Sequence, residues 1–328
     1  MSLAIAIICG GFSSEYEISV KSARNIQNNL PKSVSSYLVF LRKDGWYVEV
    51  NSQEVDFDSQ NFSFEFNGVT TKLNSAIVYI HGDPGENGKL QAYLDIIDIP
   101  YFNSGPLASQ LSFDKWFCNQ FLKGFGIKVA RSFYLDDRDD IPMPAAIIEN
   151  LGLPVFVKPC DSGSSYGISK VSEKDQLSDA ISAAFDEGDT VLLESNLSGT
   201  EVTCAAYRNK DGICTLPLTE IVTENDFFDY EAKYLGKSEE ITPARINEDI
   251  AKEVQSLSKR IYALLKLRSI ARIDYMLVEN EIYVIEVNTT PGFSNESIVP
   301  KMIQESDKSM TEFWAEIIEF ESESNISK

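Results

Sequence analysis

Histidine is nearly absent from this chain: His81 is the only one in 328 residues. Catalysis built on several histidines is therefore excluded. The five cysteines, Cys9, Cys118, Cys160, Cys204 and Cys214, are scattered, odd in number and free of C-x-x-C spacing. That usage argues for reduced thiols in a cytoplasmic protein and against a zinc site. Positive charge is scarce, with 29 Lys and Arg against 50 Asp and Glu and a formal charge of −21. So acidic a chain is a poor match for nucleic acid or an anionic membrane surface. An anionic ligand must then be held by a few local lysines and arginines. No uninterrupted apolar run approaches membrane-spanning length. The N-terminal LAIAIIC is too short for a signal peptide and lacks a basic flank, so it reads as a buried first strand. There is no internal repeat, low-complexity tract or useful run of coiled-coil heptads. What is present, 43% apolar and 24% charged residues, is the composition of a globular protein long enough for two or three domains.

Along the first hundred residues strand-like and helix-like segments alternate: LAIAIIC, a helix through SVKSARNIQNNL, SSYLVFLR, AIVYIHG (76–82) and a helix near LQAYLDIID. This order suggests a parallel α/β sheet. A helix is expected from about Ser112, as N-cap, to Gly124 or Gly126. Then come VFVKP (155–159), a Gly/Ser loop, ISKV (168–171), a helix near QLSDAISAAF and the strand TVLLES. The last third holds GTEVTCAAYRN and a polar, aromatic stretch from Thr223 to Arg245. A long helix capped by Asn247 follows, with Ile250, Val254, Leu257, Ile261 and Leu264 as its apolar stripe. MTEFWAEIIEF is a final amphipathic segment, and residues after about Glu321 read as a frayed tail.

The most informative stretch is ARIDYMLVENEIYVIEVNTTPGFSNESIVP, residues 271–300. It reads as two strands joined by the turn Glu279-Asn280-Glu281. A three-residue loop sets Val278 opposite Ile282, Asp274 opposite Glu286 and Arg272 opposite Asn288. The other face then pairs Ile273 with Val287, Tyr275 with Ile285 and Leu277 with Tyr283. Facing carboxylates repel, and a one-residue slip would scramble the two faces. Asp, Glu and Asn oxygens without a neutralising side chain suit Mg²⁺, a hard cation. The plainer reading is a solvated strand face in an acidic chain.

Other segments carry weaker signals. Gly10-Gly11 after the first strand lets backbone approach a ligand, although it is not G-x-G-x-x-G. Glu15, in GFSSEYE, could bind an ammonium group or simply complement a helix N-terminus. His81-Gly82 leads into DPGENGKLQ, and a lone histidine at a strand end is more often structural. Lys158 precedes the loop Cys160–Gly167, whose small residues suit a phosphate nest; a plain hairpin turn is the alternative. Glu194 and Glu201 could serve an adenine edge and ribose hydroxyls, or be surface acids. The Gly292 N–H, after Pro291, could face a reacting centre, and Ser297 could hold a carboxylate.

Taken together, GGFSSEYEIS, HGDPGENGKLQ, Asp114-Lys115, VKPCDSGSSYGISKV, LLESNLSGTEVT, FFDYEAKY, Pro243-Ala244, ARIDYM and EVNTTPGFSNESIVP resemble, in order, the D-alanine–D-alanine ligase family of ATP-grasp enzymes. The resemblance covers nearly the whole chain. It implies an α/β (α+β) fold of three domains: a Rossmann-like substrate domain at 1–105, a central ATP-grasp subdomain at 106–193 and a C-terminal subdomain at 194–328. It also implies a catalytic set of Glu15, Ser164, Tyr234, Arg272 and Gly292. Asp274, Glu286 and Asn288 would hold two Mg²⁺ ions, with Mn²⁺ as a substitute. ATP would meet Lys115, Lys158, Ser164, Ser165, Glu194, Leu197, Glu201, Phe228, Lys233 and Met276. The first D-alanine would have its ammonium at Glu15 with His81 nearby, and the second its carboxylate at Ser297 and Ile298. Arg272 and the Gly292 N–H would form the oxyanion site, and Tyr234 would cap the centre through Ser164 and Glu15. Closing of the Thr223–Arg245 loop would keep water from an acyl phosphate.

The resemblance further implies a cytoplasmic homodimer serving peptidoglycan precursor synthesis. Two departures stand out: GENG where GEDG is usual, and Ser195-Asn196 after Glu194 where a lysine and a bulky residue are frequent. Rival readings are a ligase forming D-alanyl-D-lactate or D-alanyl-D-serine, a non-catalytic ATP-grasp nucleotide-binding protein and a purely structural α/β protein. Tyr234 is the residue that favours the dipeptide, and Arg272 is one a binding-only module would not need.

Overall fold

A computed structural model describes residues 3–136, 138, 141–163, 167–223 and 238–326. Strand β1 (Ala4–Gly10) is buried on both sides, which is why it reads as a continuous apolar run. Ile5, Ile7 and Cys9 join one core cluster and Ala6 and Ile8 another. Helix α1 (Tyr16–Asn29) follows, then β2 (Ser35–Arg42), β3 (Gly45–Val50), β4 (Gln53–Asp58), β5 (Ser63–Phe66), β6 (Val69–Lys72) and β7 (Ser75–Val78). Together they form a seven-stranded sheet in the order β6-β5-β4-β3-β2-β1-β7. The expected parallel sheet is confined to β2-β1-β7. The other four strands extend it as an antiparallel meander.

Helices α2 (Lys89–Ile96), α3 (Pro106–Phe113) and α4 (Lys115–Gly124) lead out of this sheet. The helix expected from Ser112 to Gly124 is α4, which begins at Lys115, and α3 precedes it. They break at Asp114, which takes extended dihedrals and caps α4 by accepting from Phe117 N at 3.0 Å. A four-stranded antiparallel sheet comes next, with β8 (Ser132–Leu135), β9 (Val155–Pro159), β10 (Ser169–Val171) and β11 (Val191–Ser195) in the order β10-β9-β11-β8. Val155, Val157, Val191 and Leu193 turn toward α5 (Pro144–Leu151) and α6 (Leu177–Glu187). Phe156, Lys158 and Glu194, one residue out of phase, therefore face the other way.

The last sheet has six strands: β12 (Thr200–Asn209), β13 (Gly212–Thr215), β14 (Thr219–Thr223), β15 (Ser238–Ile241), β16 (Ile270–Val278) and β17 (Glu281–Asn288). Helix α7 (Glu248–Leu264) covers one face with Val254 and Ile261 fully buried and Ile250, Leu257 and Leu264 packed at the margin. Asn247 caps it, accepting from Asp249 N at 2.8 Å.

The β16–β17 hairpin departs from the expected register at its tip. The turn has two residues, Glu279 and Asn280, so Val278 faces Glu281 and Leu277 faces Ile282. Glu279 takes a left-handed φ of 56°. A β-bulge after Asp274 leaves Ile285 unpaired and restores the expected facing pairs Asp274–Glu286, Ile273–Val287 and Arg272–Asn288. Val284 and Val287 are three apart, so a regular strand would send them to opposite faces. The bulge lets both enter one core cluster and leaves Ile285 and Glu286 on the cavity side.

Helices α8 (Ile298–Gln304) and α9 (Met310–Ile326) close the fold against the first sheet. Phe293, Val299, Met302, Phe313 and Trp314 share one core with Ile5, Ile7 and Ile77. Tyr79 donates to Pro291 O at 2.7 Å and Asn25 to Phe293 O at 2.8 Å. These contacts bring the Pro291-Gly292 turn to the carboxyl edge of β1. The frayed tail expected after Glu321 is instead a continuation of α9 to Ile326. Glu321 is 2% exposed and accepts from Arg268 Nε at 2.8 Å and Ser269 N at 3.1 Å. Its loss would leave the Ser269 N–H without its acceptor and Arg268, 26% exposed, without its carboxylate. Glu321→Ala should therefore lower unfolding stability by roughly 1.5–3 kcal/mol, read as a fall in the urea midpoint.

Candidate active site

Two cavities, of about 370 and 520 Å³, meet at Lys115, Ile168 and Glu286. The larger lies between the cavity faces of the second and third sheets. Lys158, Glu194, Leu197, Glu201, Asp274 and Met276 line it, together with Phe156 and Lys170. Glu201 stands opposite Met276 in the β12–β16 ladder. The smaller cavity is walled by Glu15, His81, Glu86, Ser112, Arg272, Asn288, Gly292, Ser297 and Ile298. All the expected site residues within the described stretches thus line one or both cavities. Ser164, Ser165, Phe228, Lys233 and Tyr234 lie outside the described residues.

Asp274 accepts four hydrogen bonds. Arg272 donates to it through Nε at 2.8 Å and a terminal nitrogen at 2.7 Å, a two-pronged pair. Thr203, its partner across β12–β16, donates to the same carboxylate at 2.5 Å, and Asn288 Nδ2 donates at 3.1 Å. The expectation of a face with no neutralising side chain is therefore corrected: Arg272 is two residues away on the same strand face. Asn288 uses its amide nitrogen on Asp274, which leaves its carbonyl oxygen as the atom for another ligand. Among the described residues no three His, Cys, Asp or Glu side chains gather as a complete metal cage. The Glu286 carboxylate and the Asn288 carbonyl oxygen instead suit Mg²⁺, which is commonly bound by one or two carboxylates plus substrate phosphates. Asp274 would join them by exchanging one of the four donors it accepts from.

Lys158 and Glu194 form an ion pair with both side chains 9% exposed, and Asn119 Nδ2 donates to the other Glu194 oxygen at 2.9 Å. The two residues expected to reach phosphate and adenine separately are thus paired with each other. Lys115 Nζ donates to Ser162 O at 2.6 Å, tying α4 to the start of the Gly/Ser loop. Ser195 N and Asn196 N donate to the carbonyls of Arg131 and Pro154, so both residues line the larger cavity with their amides engaged.

Glu15 is 7% exposed and stands at the N-cap of α1 without a side-chain capping hydrogen bond. Its carboxylate reaches the Gly/Ser loop: a Cβ on Gly163 would lie 2.7 Å from Glu15 Oε2. Burial holds the His81 ring below the usual imidazole range, with Arg272 adding to this and Glu15 and a backbone hydrogen bond with Thr290 opposing it. Its buried Nε2 has no hydrogen-bond partner, nor has the hydroxyl of Ser112 in the same cavity. Orphaned buried polar atoms in a cavity wall call for a ligand or water to complete them.

Sequence reasoning missed Glu86. Burial, reinforced by Glu15 and opposed by the Gly82 N–H, pushes its carboxyl up to about 8. That N–H donates to it at 2.8 Å, which fixes the turn after His81. Glu86 lies in GENG, so the motif pointed at it without assigning it a contact. Asn119 and Thr203 were missed because their roles depend on long-range pairing that no local pattern encodes. At the far end, Ser297 Oγ lies 2.9 Å from Ser294 Oγ and accepts from Ser294 N at 3.0 Å. A Cβ on Gly292 would sit 3.0 Å from that Ser297 hydroxyl, so a side chain there would crowd it.

Family models for the D-ala D-ala ligase N-terminus and C-terminus match residues 4–104 and 121–319. A D-alanine–D-alanine ligase of Azobacteroides pseudotrichonymphae is 44% identical over 96% of this chain and 98% of its own length. One from Porphyromonas gingivalis is 45% identical over 96% of each chain. Among solved structures, D-alanyl-alanine synthetase A from Vibrio cholerae has a TM-score of 0.87 at 29% identity, covering 99% of both chains. VanG D-Ala:D-Ser ligase from Enterococcus faecalis also gives 0.87 at 29% identity, over 98% of this chain and all of its own. The fold is ATP-grasp, and the chain belongs to the D-alanine–D-alanine ligase family of ATP-dependent ligases.

Proposed function

We propose that the protein joins two D-alanine molecules into D-alanyl-D-alanine, with cleavage of ATP, for peptidoglycan precursor synthesis. The observation that carries this reading is the meeting of the two cavities at Lys115 and Glu286. A nucleotide in the larger one has its phosphates directed toward amino acids in the smaller one. The first D-alanine binds with its ammonium at Glu15 and its carboxylate toward the junction, where it takes the terminal phosphoryl group of ATP. The acyl phosphate so formed is attacked by the amine of the second D-alanine, whose carboxylate lies at Ser297 and Ile298. Phosphate then leaves from a tetrahedral centre, and Arg272 with the Gly292 N–H stabilises its oxyanion.

Lys115 offsets charge on the phosphates. Lys158 keeps Glu194 as a partner and still has N–H donors to spare. Asp274, Glu286 and Asn288 would hold two Mg²⁺ ions, or Mn²⁺, which when bound neutralise phosphate charge. Glu194, Leu197, Glu201 and Met276 serve the base and ribose. Ser164, Ser165, Phe228, Lys233 and Tyr234 keep the roles that the family resemblance implies. No side-chain nucleophile is needed. Burial pushes the thiols of Cys9, Cys118 and Cys204 up to about 12, and that of Cys160 to about 11, so none supplies a thiolate at neutral pH.

No helix among the described residues is long and apolar enough to cross a membrane. A cytoplasmic homodimer completes the proposal. D-Serine as second substrate is the alternative favoured by the likeness to the VanG ligase, whose fold matches equally well. The test is phosphate release from ATP with Mg²⁺ and D-alanine, with D-serine and D-lactate offered in parallel as acceptors. D-Alanyl-D-alanine as the main product is expected; phosphate released without any dipeptide would sink the ligase reading.

A further inference from the structure

The wall of the smaller cavity carries an acid that the chemistry above does not use. Glu240, on edge strand β15, lines the cavity and accepts from Lys301 Nζ at 2.8 Å. The Glu240 side chain is 13% exposed and that of Lys301 41%. Lys301 comes four residues after Ser297, the N-cap of α8. The helix does not need the pair to stay in place, because Ile298, Val299, Met302 and Ile303 already anchor it in the core. Exposed ion pairs contribute little, but a carboxylate this shielded feels the loss of its cation more strongly.

We propose that Glu240 and Lys301 act as a unit that positions the acceptor end of the cavity. Lys301 Nζ, bonded to Glu240, offsets a negative charge that the wall would otherwise turn toward the acceptor carboxylate. The pair also fixes β15 against α8, so the wall keeps its place when the acceptor enters. Both are positioning residues, since neither touches the reacting atoms. This inference rests on the ligase reading.

The experiment compares KM for donor and acceptor D-alanine in wild type, Glu240→Gln, Lys301→Gln and the double variant, with the fold followed by circular dichroism. Each single change should raise the acceptor KM about tenfold, and the double should match the singles because the pair is already broken. Donor KM, ATP KM and kcat at saturating acceptor should stay within about twofold. Lys301→Arg, which keeps the charge, should hold acceptor KM within about threefold and serves if the neutral variants fail to fold. An unmoved acceptor KM, an equal rise in donor KM, additive single effects or a large acceptor defect in Lys301→Arg would each overturn the proposal. Wild type without D-alanine-dependent phosphate release overturns the ligase reading instead, so the two failures are distinguishable.

Discussion

Glu286→Gln should leave a folded protein whose turnover falls by about 10³-fold or more. The substitution keeps the size of the side chain and removes only its charge. The strand that carries it is secured independently by Val284 and Val287 in the core. Glu286 is one of the residues at which the two cavities meet, so its charge acts where phosphate and amino acid come together. Asp274 is a poorer target, because Arg272, Thr203 and Asn288 all bond to it and its loss would disturb each of them. The check is steady-state phosphate release over a range of Mg²⁺ concentrations, with the far-ultraviolet spectrum as the control for folding. A rate like that of wild type would show that the metal is held elsewhere.

Arg272→Lys should reduce dipeptide formation by about 10²–10³-fold, the usual effect of losing one oxyanion donor. Lysine keeps the charge beside Asp274 but not the planar fork that grips both carboxylate oxygens. Arg272→Met would be a worse probe, since Asp274 is 7% exposed and would be left buried without a cation. The step that suffers follows formation of the acyl phosphate. Released phosphate should therefore exceed dipeptide, as the intermediate is lost to water. Measuring both products in one reaction separates this from a general loss of activity. A ratio of one with a rate within about threefold of wild type would remove Arg272 from the oxyanion site.

Much of the site was legible because its residues sit at the ends of strongly patterned strands and in short motifs whose order along the chain is distinctive. Asp274, Glu286, Asn288 and Arg272 could be placed on one face from alternation alone. The meander from Gly45 to Lys72 was not read because its short strands carry few consecutive apolar residues, although Asn51-Ser52 and Asn67-Gly68 at positive φ mark two of its turns. The Lys158–Glu194 pair was out of reach for a different reason. It depends on the antiparallel pairing of β9 with β11, 32 residues apart at their nearest pairing, Pro159 with Val191 being separated by a helix and a further strand. The two-residue turn at Glu279 was missed because Glu is an unusual occupant of a left-handed position.

The bulge at Ile285 has a consequence for how the hairpin can change. It separates the indexing of the turn from the indexing of the carboxylates, so the strand is counted twice, once from each end. Straightening the bulge would pass Glu281 from the strand into a three-residue turn and keep Asp274 facing Glu286. That exchange would rotate Val284 out of the core and bring Ile285 into its place. The turn can therefore vary in length with an apolar swap as its cost, while the two acids remain in step.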